Sequence, residues 1–148
     1  MTVLTALLVA AGLYAAALAG LYLAQDSLIF PRYMVRPSTD PLPAGTERLE
    51  LHTPEGVRLV GNLVRARSAS RGLLLGFAGN AWNTDDFTGF LARRLPDLDI
   101  AAFHYRGYAP SEGHPSEAAL RTDAALIRDR LVQDLRPRRV LLAGFSLG

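Results

Sequence analysis

The stretch Val140-Leu141-Leu142-Ala143-Gly144-Phe145-Ser146-Leu147-Gly148 decides the fold. Its first five residues are a continuous apolar run, the pattern of a strand covered on both faces of a sheet. Directly after it comes Gly-x-Ser-x-Gly, the spacing of a sharp strand-to-helix turn that pushes a serine hydroxyl into the open. Gly144 and Gly148 have a steric reason to be glycines, because a Cβ on either flank of so tight a bend would collide with neighbouring backbone. Ser146 is therefore expected to be a nucleophile, with the Leu147 N–H aimed at the oxygen of a reacting carbonyl. The alternative is a glycine-rich turn that merely closes a strand, and the strand in front of the motif argues against it.

Working outward, Leu73-Leu74-Leu75-Gly76-Phe77 and Ile100-Ala101-Ala102-Phe103 are two more continuous apolar runs, read as parallel strands. Between them Phe87, Phe90, Leu91 and Leu95 recur at helical spacing until Pro96. Before the last strand, Ser116 can cap a helix, Glu117 sits at the favourable end of its dipole, and Leu120, Ala124, Ile127, Leu131 and Leu135 share one face up to Pro137. Upstream, Leu49 to His52 and Val57 to Val64 alternate at period two around Pro54-Glu55-Gly56, the mark of a hairpin. An antiparallel hairpin followed by strand, helix, strand, helix, strand predicts an α/β sheet with its ligand site at the carboxyl ends of the strands.

One loop at that edge is Phe77-Ala78-Gly79-Asn80-Ala81-Trp82-Asn83, which leaves the third strand and can supply a second backbone donor to an oxyanion. Asn80 N–H is the candidate donor. Gly79-Asn80 is equally an ordinary turn pair, so the segment gains weight only from its neighbours.

The N-terminus is of another kind. Val3 to Ala24 carries no charged side chain, and as a helix would span roughly 33 Å, the thickness of a bilayer's hydrocarbon core. A cleaved signal is the competing reading, since Ala17-Leu18-Ala19 has the small-x-small form of a cleavage site. The apolar run is longer than an ordinary signal core and no Lys or Arg precedes it, so a retained single-pass anchor over residues 1–25 is preferred, in either orientation. Residues 26–45 read as a juxtamembrane piece, with Leu28-Ile29-Phe30 capping the globular part, and a linker rich in Pro37, Pro41, Pro43 and Gly45. The globular domain is expected over 46–148.

Composition removes several classes. The 148 residues suit one domain, and 49% hydrophobic with 20% charged argues against disorder. A net charge of +2 is too small to point to nucleic acid as a partner. There are no cysteines, and His52, His104 and His114 lack ligand spacing, so no metal site is expected, and acyl transfer by a serine implies no organic cofactor.

Four motifs in order resemble the α/β-hydrolase fold, and within it the membrane-anchored serine hydrolases related to lysophospholipases, monoacylglycerol lipases and depalmitoylases. They are Phe77 to Asn83, Tyr105-Arg106-Gly107-Tyr108-Ala109-Pro110-Ser111-Glu112-Gly113, Pro115-Ser116-Glu117, and Gly144 to Gly148. Departures are Ala78 where a histidine often stands, Ala109 in place of glycine, and His104 in place of aspartate. The resemblance implies strand order 1-2-4-3-5 and a mainly architectural Tyr-Arg-Gly loop, with substrate contact by Arg106 as the alternative. With that order His104 is two inter-strand steps of about 4.8 Å from the serine's strand, beyond the roughly 3 Å a general base can reach. The resemblance also implies that base and orienting carboxylate follow the serine, and only Leu147 and Gly148 do. The 148 residues are thus expected to be the N-terminal part of a longer hydrolase of esters or thioesters, inert alone, acting on a small-molecule or lipid-like acyl substrate. A non-catalytic membrane-bound binding module and an amidase or peptidase of the same fold are the alternatives.

Overall fold

The computed structural model describes residues 2–148, which form two compact units meeting between Phe30 and Pro31. The first is helix α1, Val3–Ile29, capped by the Thr2 hydroxyl on the Thr5 N–H and with no buried residue up to Ile29. It is longer than the uncharged stretch, and takes in Leu28 and Ile29, which were expected to cap the globular part. Gln25, Asp26 and Ser27 are tolerable helix residues, and Pro31 is the first that cannot donate to the ladder. Among the described residues this is the one helix long and apolar enough to cross a membrane, with mean hydropathy 2.1 in its best window.

The second unit, Pro31–Gly148, is a five-stranded sheet with a helix on each face. Its strands are β1 (Glu47–His52), β2 (Arg58–Val64), β3 (Leu73–Phe77), β4 (Asp99–Phe103) and β5 (Val140–Gly144), its helices α2 (Thr84–Arg94) and α3 (Glu117–Leu135). The order across the sheet is β1-β2-β4-β3-β5, with β3, β4 and β5 parallel and the hairpin strands β1 and β2 antiparallel. Both the expected elements and the implied order are present. The hairpin turn closes through Gly56 N–H to the Thr53 carbonyl and Thr53 N–H to the Val57 carbonyl, which leaves Val57 in the turn rather than in β2.

Strand alternation divides the core. Leu59, Leu63, Leu73, Leu75, Ala101 and Phe103 meet Ile127 and Leu131 of α3. Val64, Leu74, Ala78 and Ile100 meet Phe87, Leu91 and Ala92 of α2. Each fully buried leucine contributes about 2 kcal/mol of apolar transfer. Gly76 lets α2 approach closely, for a Cβ there would lie 2.7 Å from Leu91 Cδ1. Ser116 caps α3 by accepting the Ala119 N–H, as its sequence position suggests.

Of the proline-rich stretch, Arg36, Ser38 and Asp40 are tied along α2. The Arg36 carbonyl accepts from Asn83 Nδ2 at 2.9 Å, the Ser38 hydroxyl donates to Asp86, and Asp40 faces Arg93 at 3.7 Å. Among the described residues β5 is an edge strand, with Leu142 68% exposed. Only Leu141 and Ala143 pack on the α2 side, with Val140 on the α3 side.

Candidate active site

β3 and β5 lie side by side in parallel, Phe77 opposite Gly144, so the loops that leave their carboxyl ends are neighbours. The Phe145 N–H donates to the Phe77 carbonyl at 3.1 Å, hanging the bend after β5 on the end of β3. The next residue, Ser146, has φ 56° and is exposed at the tip. A serine in the left-handed region costs about 1–3 kcal/mol, so the surrounding structure must impose it. Gly148 N–H closes the turn onto the Phe145 carbonyl at 3.1 Å. The flanking glycines are required by space: a Cβ on Gly144 would sit 2.5 Å from the Gly148 carbonyl, and one on Gly148 would run into the Phe77 carbonyl oxygen. No backbone or side-chain acceptor among the described residues takes the Leu147 N–H, and none takes the Ser146 hydroxyl.

Across from the serine stands the turn after β3, closed by Trp82 N–H to the Gly79 carbonyl at 3.0 Å. The two loops touch. Trp82 meets Phe145 edge-on with centroids 5.3 Å apart, and a Cβ on Gly79 would come within 2.9 Å of Phe145 Cδ1. Gly79, Asn80, Ala81, Trp82, Phe145 and Ser146 together line an open cleft of about 470 Å³. Asn80 and Ser146, nominated separately from sequence, thus share one cleft. A deeper apolar concavity on the α3 face, bounded by Leu75, Phe103 and Ile127, does not include Ser146.

His104 is buried at the end of β4 and bonded to Asp85 of α2, Nε2 to Oδ1 at 2.8 Å. Asn62 Nδ2 donates to the same carboxylate oxygen at 2.7 Å, and Arg48 Nη1 lies 3.0 Å from it. The His104 hydrogen bond, outweighing the opposing effect of burial, with help from Asn62 and Arg48, holds the Asp85 carboxyl well below the usual carboxylate range. This imidazole is engaged inside the fold rather than with Ser146. His52 and His114 are exposed, one at the end of β1 and the other in the loop before α3. Arg106 likewise turns inward, forming a two-pronged pair with buried Asp123 at 2.9 and 2.6 Å. That carboxylate lies on the face of α3 read as apolar, and no periodicity of apolar residues reveals it. Among the described residues no group of three or more His, Cys, Asp or Glu can hold a metal ion.

The supports of the asparagine turn carry no local signal in the sequence. Tyr105 Oη donates to the Ala78 carbonyl at 2.8 Å, and Tyr108 Oη donates to Asn80 Oδ1. Both phenols have their pKa raised, first by burial, and remain donors at neutral pH.

No protein-family model matches the chain. Among curated proteins it is 29% identical over 151 residues to protein bem46 of Schizosaccharomyces pombe, covering 89% of this chain and 48% of that one. It is 34% identical over 101 residues to the alpha/beta hydrolase domain-containing protein 17B of Xenopus laevis, covering 65% of this chain and 35% of that one. Among solved structures, an alpha-beta hydrolase from Vibrio vulnificus superposes with TM-score 0.60 at 25% identity, over 71% of this chain and 37% of that one. The chain spans about half or less of the length of these curated relatives. Strand order, the bend after β5 and the asparagine turn together give the chain the α/β-hydrolase fold, here a five-stranded part of it preceded in sequence by an apolar helix.

Proposed function

We propose that this chain carries the nucleophile and oxyanion hole of a serine hydrolase that cleaves esters or thioesters. The observation that carries the reading is Ser146, exposed and held at φ 56° at the tip of β5, in one cleft with the Gly79–Asn80 turn. Ser146 Oγ attacks the carbonyl carbon while a histidine takes its proton, and the oxygen that gains charge is held by the Leu147 and Asn80 N–H groups. Collapse of the tetrahedral species expels the alcohol or thiol, which takes the proton back. Water then repeats the sequence on the acyl-serine and releases the acid. With His104 bound to Asp85, the histidine and its orienting carboxylate are assigned to residues beyond Gly148.

The apolar helix serves in this reading as a single-pass membrane anchor. An acyl substrate drawn from a lipid surface suits such an anchor, and the aromatic wall of Trp82 and Phe145 suits an acyl chain.

The test is a fluorophosphonate probe applied to the 148-residue chain and to the protein extended by the coding sequence downstream of Gly148. The extended protein is expected to be labelled at Ser146 and its S146A variant not, with the 148-residue chain labelled far more slowly. Labelling of S146A at the wild-type rate overturns the assignment of the nucleophile.

A further inference from the structure

β4 and β3 are adjacent and parallel, Gly76 beside Ala102, so the Tyr-Arg-Gly-Tyr loop after β4 lies next to the asparagine turn on the side away from Ser146's strand. Two hydrogen bonds cross between the loops, and they bracket one glycine. Tyr105 holds the carbonyl of Ala78, just before Gly79, and Tyr108 holds the side chain of Asn80, just after it. We propose that Tyr105 and Tyr108 are positioning residues that aim the Asn80 N–H at the oxyanion, a role that rests on Ser146 being the nucleophile.

Peptide geometry makes the connection. The Asn80 N–H belongs to the same planar unit as the Gly79 carbonyl and points the opposite way. That carbonyl is fixed by the Trp82 N–H at 3.0 Å, so the direction of the Asn80 N–H is set by how firmly the Gly79–Asn80 unit is kept from rotating. Glycine resists rotation least of all residues, and a Cβ on Gly79 would press to within 2.9 Å of Phe145 Cδ1. Ala78 offers no polar side-chain atom to brace the turn from within. The restraint comes from the neighbouring loop, on either side of the flexible residue. The two rings meet edge-on with centroids 6.0 Å apart, Tyr108 is buried, and each hydroxyl reaches the turn. Phenylalanine at either position keeps the ring and its packing and removes only the bond, which separates positioning from folding.

The test uses Y105F, Y108F and the double variant, made in the protein extended beyond Gly148 as above. Amide hydrogen exchange reads the turn directly. The Trp82 N–H is expected to exchange about tenfold faster in each single variant and faster again in the double, while Leu74 and Leu75 in β3 are unchanged. Hydrolysis of a p-nitrophenyl ester is expected to lose about tenfold in kcat with KM within about twofold, the split of a group that acts in the transition state. Unchanged Trp82 exchange in both single variants overturns the proposal, as does accelerated exchange throughout β3 and β4. Faster Trp82 exchange with kcat intact overturns the positioning role alone. Failure of the nucleophile assignment is recognised separately, as an S146A protein that still hydrolyses the ester.

Discussion

His104 Nε2 lies 2.8 Å from Asp85 Oδ1, joining the end of β4 to the first turn of α2 inside the fold. A histidine and a carboxylate in contact, in a chain with an exposed serine at a sharp bend, invite assignment as a catalytic pair. Here the pair is a strut: the imidazole is buried, and the carboxylate is also bound by Asn62 and Arg48.

Removing that carboxylate's charge is expected to destabilise. D85N should lower unfolding stability by about 1–3 kcal/mol at pH 7, the range for a charged hydrogen bond. The sign with pH follows from the direction of its shift. The folded-state pKa is depressed below the ordinary 3.8, so the stabilisation is complete above that value and is lost as pH falls through it toward the folded-state pKa. Urea titrations of wild type and D85N should show a constant gap between pH 5 and 7 and a shrinking one below about pH 4.

Arg106 and Asp123 form the other buried ionic contact, with side chains 13% and 5% exposed. R106L strands a carboxylate in the α3 face of the core and should cost about 3–5 kcal/mol, whereas R106L/D123L should recover much of that loss. A double variant no more stable than R106L, by chemical denaturation, would refute the account. Lysine at position 106 should not restore the wild type, because an ammonium cannot engage both carboxylate oxygens as the guanidinium does.

The bend at Ser146 stores strain that can be released. S146G removes the Cβ from a φ of 56° and is expected to raise stability by about 1 kcal/mol after the added freedom of the unfolded chain is deducted, while S146A gives no such gain. G148A acts oppositely, forcing a methyl into the Phe77 carbonyl, and should cost about 3 kcal/mol together with fluorophosphonate labelling. Thermal melts of the three variants order them.

With α1 held in detergent, Leu142 is expected to govern self-association of the 148-residue chain through β5. It stands 68% exposed on an edge strand whose outer backbone groups are unpaired among the described residues. L142K should raise the soluble monomer fraction in size-exclusion chromatography and change stability by less than about 0.5 kcal/mol.

Much of this was legible in the residues because it rests on period and punctuation. Three continuous apolar runs marked β3, β4 and β5, Pro96 and Pro137 closed off the helices, and Gly-x-Ser-x-Gly marked the bend. What stayed hidden depends on partners distant in the chain. Asp123 was invisible on an otherwise apolar helix face because only Arg106 explains it, and Asp85 carries no mark in the local sequence because only His104 gives it a role. The two tyrosine bonds need the turn geometry of both loops before either can be inferred. α1 runs beyond the uncharged stretch because no helix breaker stands before Pro31.

The pairing of β5 with β3 passes over β4 and α3, so the two halves of the cleft come from the beginning and the end of the long crossover between them. During synthesis the asparagine turn must wait, complete on its own side, until β5 has left the ribosome and closed that long loop at its entropic cost. Any slowing of translation or chaperone contact between Phe77 and Val140 would delay closure of the cleft while leaving the hairpin and its neighbours free to assemble.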